Sequence, residues 1–140
     1  MRAPSPTYVL DSFALLALFR EEPGADAVDN LLRRAQQGEV RLAMTAVNMG
    51  EVVYRTIRER GNDAADEALA RMTEFTLEIV DIDRVLAIMA ARLKGLYRMS
   101  YADCLAAALS QQLDAPVVTG DADFKQVEDL VAIEWLPASE

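Results

Sequence analysis

Five acidic residues could together carry carboxylate chemistry: Asp11, Glu51, Asp103, Asp121 and Asp123. Asp11 ends the apolar run Tyr8-Val9-Leu10, and a new apolar segment starts behind Ser12 with no turn residues between. That pattern reads as a buried strand, a carboxylate at its carboxyl end, and a helix leaving at once. Asp121 follows Val117-Val118-Thr119 and Gly120 in the same way, with Asp123 two residues further on. Glu51 falls early in a helix that starts at Thr45, and Asp103 in the first turn of one that starts at Ser100. The chain has no histidine and one cysteine, Cys104. It therefore lacks an imidazole acid–base pair, a Ser-His-Asp triad, an internal disulfide and a cysteine cluster for zinc or iron–sulfur. Oxygen-only ligands favour hard cations such as Mg²⁺ or Mn²⁺. A carboxylate cluster holding one or two such ions suits phosphodiester hydrolysis.

Each acid also has a plain structural reading. Asp11 or Ser12 caps the first helix. Glu51 pairs with Arg55 or Arg58 at helical spacing. Asp103 closes the capping box Ser100-Tyr101-Ala102-Asp103, where the helix dipole favours it anyway. One of Asp121 and Asp123 caps the short helix that follows, and Asp81 and Asp83 read as a turn and an N-cap. Cys104 reads as a small packed residue. Taken singly, these alternatives stay open.

The elements that would bring the acids together come next. Strands are expected at about 8–10, 40–44, 77–80, 117–119 and 131–135. Helices are expected at about 12–20, 46–60, 62–75 and 84–96, with another from Pro23, in its first turn, to Gly38, and one opened by Ser100. In the helix from Ala46, the residues Val47, Tyr54 and Ile57 mark the inner side, and Glu51 shares their face. A carboxylate on such a face is costly unless paired or bound to metal. Gly120 is read as permitting a tight turn. Strands alternating with helices imply an α/β fold, a three-layer α/β/α sandwich with a central, mostly parallel sheet. Residues 7–137 read as a single domain between tails at 1–6 and 138–140. In such a sheet each helix N-terminus lies over the carboxyl edge of the strands. Asp11, Glu51, Asp103 and Asp121 then share one edge, where ligands bind in open α/β sheets.

Bulk composition narrows the function. The 140 residues are 52% hydrophobic and carry a formal charge of -9. That suits one core and argues against a simple nucleic-acid-binding module. It argues less against a nuclease, because bound cations reverse the local sign. No apolar run approaches a membrane span and no signal-peptide core precedes the first strand, so a cytoplasmic protein is expected.

The motifs Val9-Leu10-Asp11-Ser12-Phe13-Ala14-Leu15-Leu16-Ala17, Glu51, Tyr101-Ala102-Asp103-Cys104-Leu105-Ala106-Ala107-Ala108 and Val118-Thr119-Gly120-Asp121-Ala122-Asp123-Phe124 occur in this order. Together they resemble the PIN-domain ribonucleases, specifically the VapC-type toxins of bacterial toxin–antitoxin pairs. The resemblance runs from about Thr7 to Pro137. It implies a Mg²⁺- or Mn²⁺-dependent endoribonuclease with Asp11, Glu51, Asp103 and Asp121 in the acidic site, and Asp11 and Asp103 as the most direct ligands. Asp121 joins them as a metal ligand, and Asp123 is a further acid or outer ligand. Ser12 and Thr119 match supporting polar positions. Also implied are a homodimer and a cognate antitoxin whose C-terminal segment covers the site. The family commonly has Ser or Thr three residues before the helix acid; here it is Asn48, whose amide can hydrogen-bond a carboxylate. Arg92, Lys94 and Arg98 are candidates for RNA phosphate contacts, or else belong to a solvated face. Two other readings remain: a PIN-type nuclease of housekeeping RNA processing without an antitoxin, and a PIN-fold binding module that has lost catalysis.

Overall fold

The structure is a computed structural model that describes residues 5–137. Residues 1–4 of the expected N-terminal tail and all of the expected C-terminal tail, 138–140, lie outside the described residues. Ser5 and Pro6 are tied to the fold: the Ser5 hydroxyl donates to the Gly38 carbonyl at 3.1 Å, and the Pro6 carbonyl accepts from Arg41 N at 2.8 Å. In chain order the elements are β1 (Thr7–Leu10), α1 (Ser12–Phe19), α2 (Ala25–Gln36), β2 (Arg41–Thr45), α3 (Ala46–Arg60), α4 (Asn62–Glu74), β3 (Glu78–Val80), α5 (Arg84–Leu96), α6 (Tyr101–Leu113), β4 (Val117–Thr119), a 3-10 helix (Ala122–Val127) and β5 (Ile133–Trp135).

The sheet order is β3-β2-β1-β4-β5, and every pairing is parallel. The strands alternate between two cores. Leu10, Leu42, Met44 and Val118 pack with α1 to α4, whereas Val9, Ala43 and Val117 pack with α5, α6 and the 3-10 helix. The α/β fold with helices on both faces is therefore the one expected. Its reason lies in the path of the chain. From β1 the chain steps outward to β2 and β3, then returns through α5 and α6 to β4 on the other side of β1. Right-handed crossovers put the outbound and returning helices on opposite faces. The direction reverses between the carboxyl ends of β1 and β4, the place where ligands bind in open α/β sheets. No helix among the described residues is long and apolar enough to cross a membrane.

Three local readings are corrected. The inner side of α3 is Asn48, Val52 and Thr56, not Val47, Tyr54 and Ile57, which are 40%, 47% and 39% exposed. The buried stripe is easily missed because two of its members are polar. Both are internally bonded: the Thr56 hydroxyl donates to the Val52 carbonyl at 2.7 Å, and Asn48 is bonded on both sides of its amide. Tyr54 instead lies beneath the Arg58 guanidinium, 5.0 Å from its ring centre. Pro23 lies just outside α2, because Gly24 at φ +98° takes the N-cap. Gly120 is required by close approach and not by a positive φ. A Cβ there would collide with the Phe13 ring and sit 3.2 Å from the Leu136 carbonyl oxygen. Gly120→Ala is expected to cost about 1–3 kcal/mol by overpacking. That corresponds to a melting temperature lower by roughly 3–10 °C in thermal unfolding.

Candidate active site

Asp11 sits at the carboxyl end of β1 as the N-cap of α1. Capping uses one oxygen: Oδ1 accepts from Ala14 N at 3.1 Å. Oδ2 is buried and has no hydrogen-bond partner. The capping alternative is thus met by one oxygen, and the other oxygen takes no part in the cap. Asp121 repeats the arrangement after β4. Its Oδ1 accepts from Asp123 N at 2.9 Å, capping the 3-10 helix, while its own N–H donates to the Thr119 hydroxyl at 3.0 Å. Thr119 is fully buried at the end of its strand. The contact between Gly120 and Phe13 packs the turn after β4 against the first turn of α1, which draws Asp121 toward Asp11.

Asp103 enters from α6. The Ser100 hydroxyl accepts from Asp103 N at 3.1 Å, so the expected cap forms. Carboxylate oxygens of Asp103, Asp121 and Asp123 all lie within 4.8 Å of one another. Asp123 is exposed and Asp103 buried, so the cluster opens from core to solvent. Asp11 lies deeper and is not part of that close triple. Glu51 faces the cluster from α3, flanking the Asn48–Val52 stripe. Its Oε1 accepts from the Ser12 hydroxyl at 2.8 Å, and its Oε2 lies 3.7 Å from an Arg55 guanidinium nitrogen. The ion pair with Arg55 expected as an alternative is therefore present, while Arg58 goes to Tyr54.

Five carboxylates thus converge with one guanidinium close by. Burial pushes the Asp11 carboxyl up to about 8, aided by Asp103 and Asp121, while the Thr119 hydroxyl and Ala14 N–H oppose the rise. Burial likewise lifts Asp103 to about 7, aided by Asp121, Glu51 and Asp123 and opposed by the Ser100 hydroxyl. Groups that resist ionising alone, gathered at one sheet edge, are what a bound cation would relieve. Asp11 Oδ2 is a buried acceptor without a hydrogen bond of good geometry, and the nearby Thr119 hydroxyl offsets only part of its burial. The donor set is all oxygen, so the residues fit a hard divalent ion.

The basic candidates separate. Lys94 Nζ donates to the Met99 carbonyl at 2.8 Å and closes the loop between α5 and α6. Arg92 is exposed on α5. Arg98 is exposed on the loop before α6, and Gln126 holds its backbone on both sides: Arg98 N–H donates to Gln126 Oε1 at 2.9 Å, and Gln126 Nε2 donates to the Arg98 carbonyl at 3.1 Å. No local pattern marks Gln126, because its partner lies 28 residues away. Asn48 bonds no carboxylate. Its amide bridges Thr45 and the Ala102 carbonyl. Cys104 is buried and its thiol is pushed up by burial, as expected of a packed residue.

A PIN domain profile matches residues 8–130, nearly the whole chain and every acid of the cluster. The chain belongs to the PIN-domain family. Solved structures agree on the fold. The PIN chain is similar to VapC20 of Mycobacterium tuberculosis, described as a sarcin–ricin loop cleaving toxin, at 16% identity, TM-score 0.74, covering 93% of this chain and 99% of that one. It is similar to VapBC2 of Rickettsia felis, solved on a DNA fragment from its promoter, at 20% identity, TM-score 0.72, covering 94% and 99%. VapBC-1 of nontypeable Haemophilus influenzae matches at 19% identity, TM-score 0.67, covering 92% and 98%. Among curated proteins none matches.

Proposed function

We propose that this PIN-domain chain is a Mg²⁺- or Mn²⁺-dependent endoribonuclease that acts as the toxin of a toxin–antitoxin pair. One observation carries the reading: a buried carboxylate with a free oxygen, Asp11 Oδ2, stands beside acids crowded at the switch point of the sheet. Stability alone gives no reason to seal such a group there. Family membership supports the nuclease part, and the likeness to toxin–antitoxin proteins supports the toxin part.

Asp11, Asp103 and Asp121 would hold the ion, with Asp123 as a further acid at the solvent side. When bound, the ion supplies charge opposite the scissile phosphate and a water of lowered pKa. The chain's own groups do the rest. Ser12 holds Glu51 through Oε1 while Arg55 pairs with Oε2, so the carboxylate is fixed from both sides beside the cluster. Thr119 holds the turn that carries Asp121. Arg98, on its pinned loop, is the basic residue best placed to hold an RNA phosphate; Arg92 is a more distant candidate, and Lys94 is engaged within the protein. A homodimer and an antitoxin segment with a basic side chain over the acids complete the proposal.

The test is expression from a tight promoter in a bacterial host, beside Asp103→Asn. Growth arrest with discrete RNA fragments is expected for the wild type only. Arrest that persists in the variant would mean toxicity by binding and would remove the mechanism.

A further inference from the structure

We propose that Asn48 is a positioning residue for the acidic site: its side chain links α3 to the first turn of α6 and sets the gap between Glu51 and Asp103. Asn48 is fully buried. Its Oδ1 accepts from the Thr45 hydroxyl at 2.6 Å, and its Nδ2 donates to the Ala102 carbonyl at 3.2 Å. Its backbone N–H donates to the same Thr45 hydroxyl at 3.0 Å. The partners fix the amide's orientation, oxygen toward the hydroxyl donor and nitrogen toward the carbonyl. A shorter hydroxyl side chain satisfies the Thr45 side but does not reach α6. Among the described residues, no other side-chain hydrogen bond joins α3 to α6.

The place of this bond matters. Glu51 is one turn beyond Asn48 on α3, and Asp103 is the residue after Ala102. Each end of the Asn48 bridge is therefore next to one of the acids, which repel each other across the gap. Helix capping does not account for the bridge, because Thr45 caps α3 through the Asn48 backbone alone. Asparagine is a poor helix former, and a buried amide is costly unless it is bonded. The amide repays that cost at the α6 end, where it restrains the acids.

The inference rests on the cation-site reading above. Mn²⁺ binding by calorimetry and melting temperature without metal would be measured for the wild type, Asn48→Ser, Asn48→Ala and Thr56→Ala. Thr56 is buried in the same helix and bonds only within it, so its variant loosens α3 without touching the bridge. Both Asn48 variants are expected to weaken Mn²⁺ binding by about tenfold, the low end for groups bonded directly to a ligand, because Asn48 acts through the helix backbone. Thr56→Ala is expected to melt lower and bind Mn²⁺ like the wild type. Unchanged Mn²⁺ affinity in both Asn48 variants overturns the positioning role and leaves the site standing. Affinity lost equally in Thr56→Ala overturns it too, since loss would then follow stability. A wild type that binds no Mn²⁺ overturns the cation-site reading beneath it.

Discussion

Asp11→Asn will abolish RNA cleavage and, in the same protein, raise the melting temperature of the metal-free state. The two effects share one cause. At neutral pH the buried Asp11 carboxyl must either hold a proton it would not hold in the unfolded chain or carry an unpaired charge in the core. Asparagine removes that choice. Its amide oxygen still accepts from Ala14 N and keeps the N-cap, and its neutral amide brings no charge into the core. Each unit of raised pKa is worth about 1.4 kcal/mol, so a gain of a few kcal/mol at pH 7.5 is expected, or roughly 5–10 °C. Cleavage should fall by about a thousandfold or more, because the ion loses a ligand worth several kcal/mol to the transition state. Thermal melts and single-turnover cleavage on the same preparations check both halves. A variant that melts lower than the wild type without metal would show that Asp11 is an ordinary structural cap.

The second large effect is a pH dependence that divalent ions reverse. Asp11 and Asp103 have folded-state values of about 8 and about 7, against an ordinary 3.8. Between pH 4 and 7 the folded protein therefore binds protons that the unfolded chain has already released. Their contribution to stability is greatest at the acid end and is lost as pH rises toward 7 and 8. Metal-free melting temperature should thus fall from pH 5 to pH 8, with a slope of order 1 kcal/mol per pH unit. The Asp11→Asn variant should show a flatter profile. A cation binds only the ionised carboxylates, so its stabilisation grows over the same range. At about 100 times its dissociation constant it contributes about 2.7 kcal/mol. Melts with Mn²⁺ and with a chelator should therefore converge near pH 5 and separate near pH 8. Curves that separate most at pH 5 would contradict the assignment.

Much of this site was legible in the sequence because its acids follow local rules. A strand that stops at a carboxylate, with a helix behind it, is visible at Asp11, and nearly so at Asp121. Caps at Thr45, Asp83 and Ser100 formed where their spacing to the third helical residue said they would. Strand and helix alternation was enough to place the acids on one edge. What stayed hidden depends on contacts distant in sequence. The inner face of α3 was misread because Asn48 and Thr56 are polar yet buried, and only their bonds in three dimensions make that tolerable. Gly120 was read for its backbone freedom, whereas the crowding comes from Phe13, more than a hundred residues earlier. Nor does the order of motifs say which acids lie nearest one another. The triple that actually converges is Asp103, Asp121 and Asp123, with Asp11 set deeper behind it. Distances within a cluster come from how strands and helices pack, and spacing along the chain does not carry them.

The most direct test is cleavage of a mixed RNA pool by the purified protein with Mn²⁺, against the same reaction with EDTA and the same reaction with Mn²⁺ restored. Discrete fragments that need the ion, vanish with the chelator and return with the ion are the predicted result. RNA left intact under all three conditions, or cut equally under all three, would contradict the assignment of the carboxylate cluster as a divalent-cation nuclease centre.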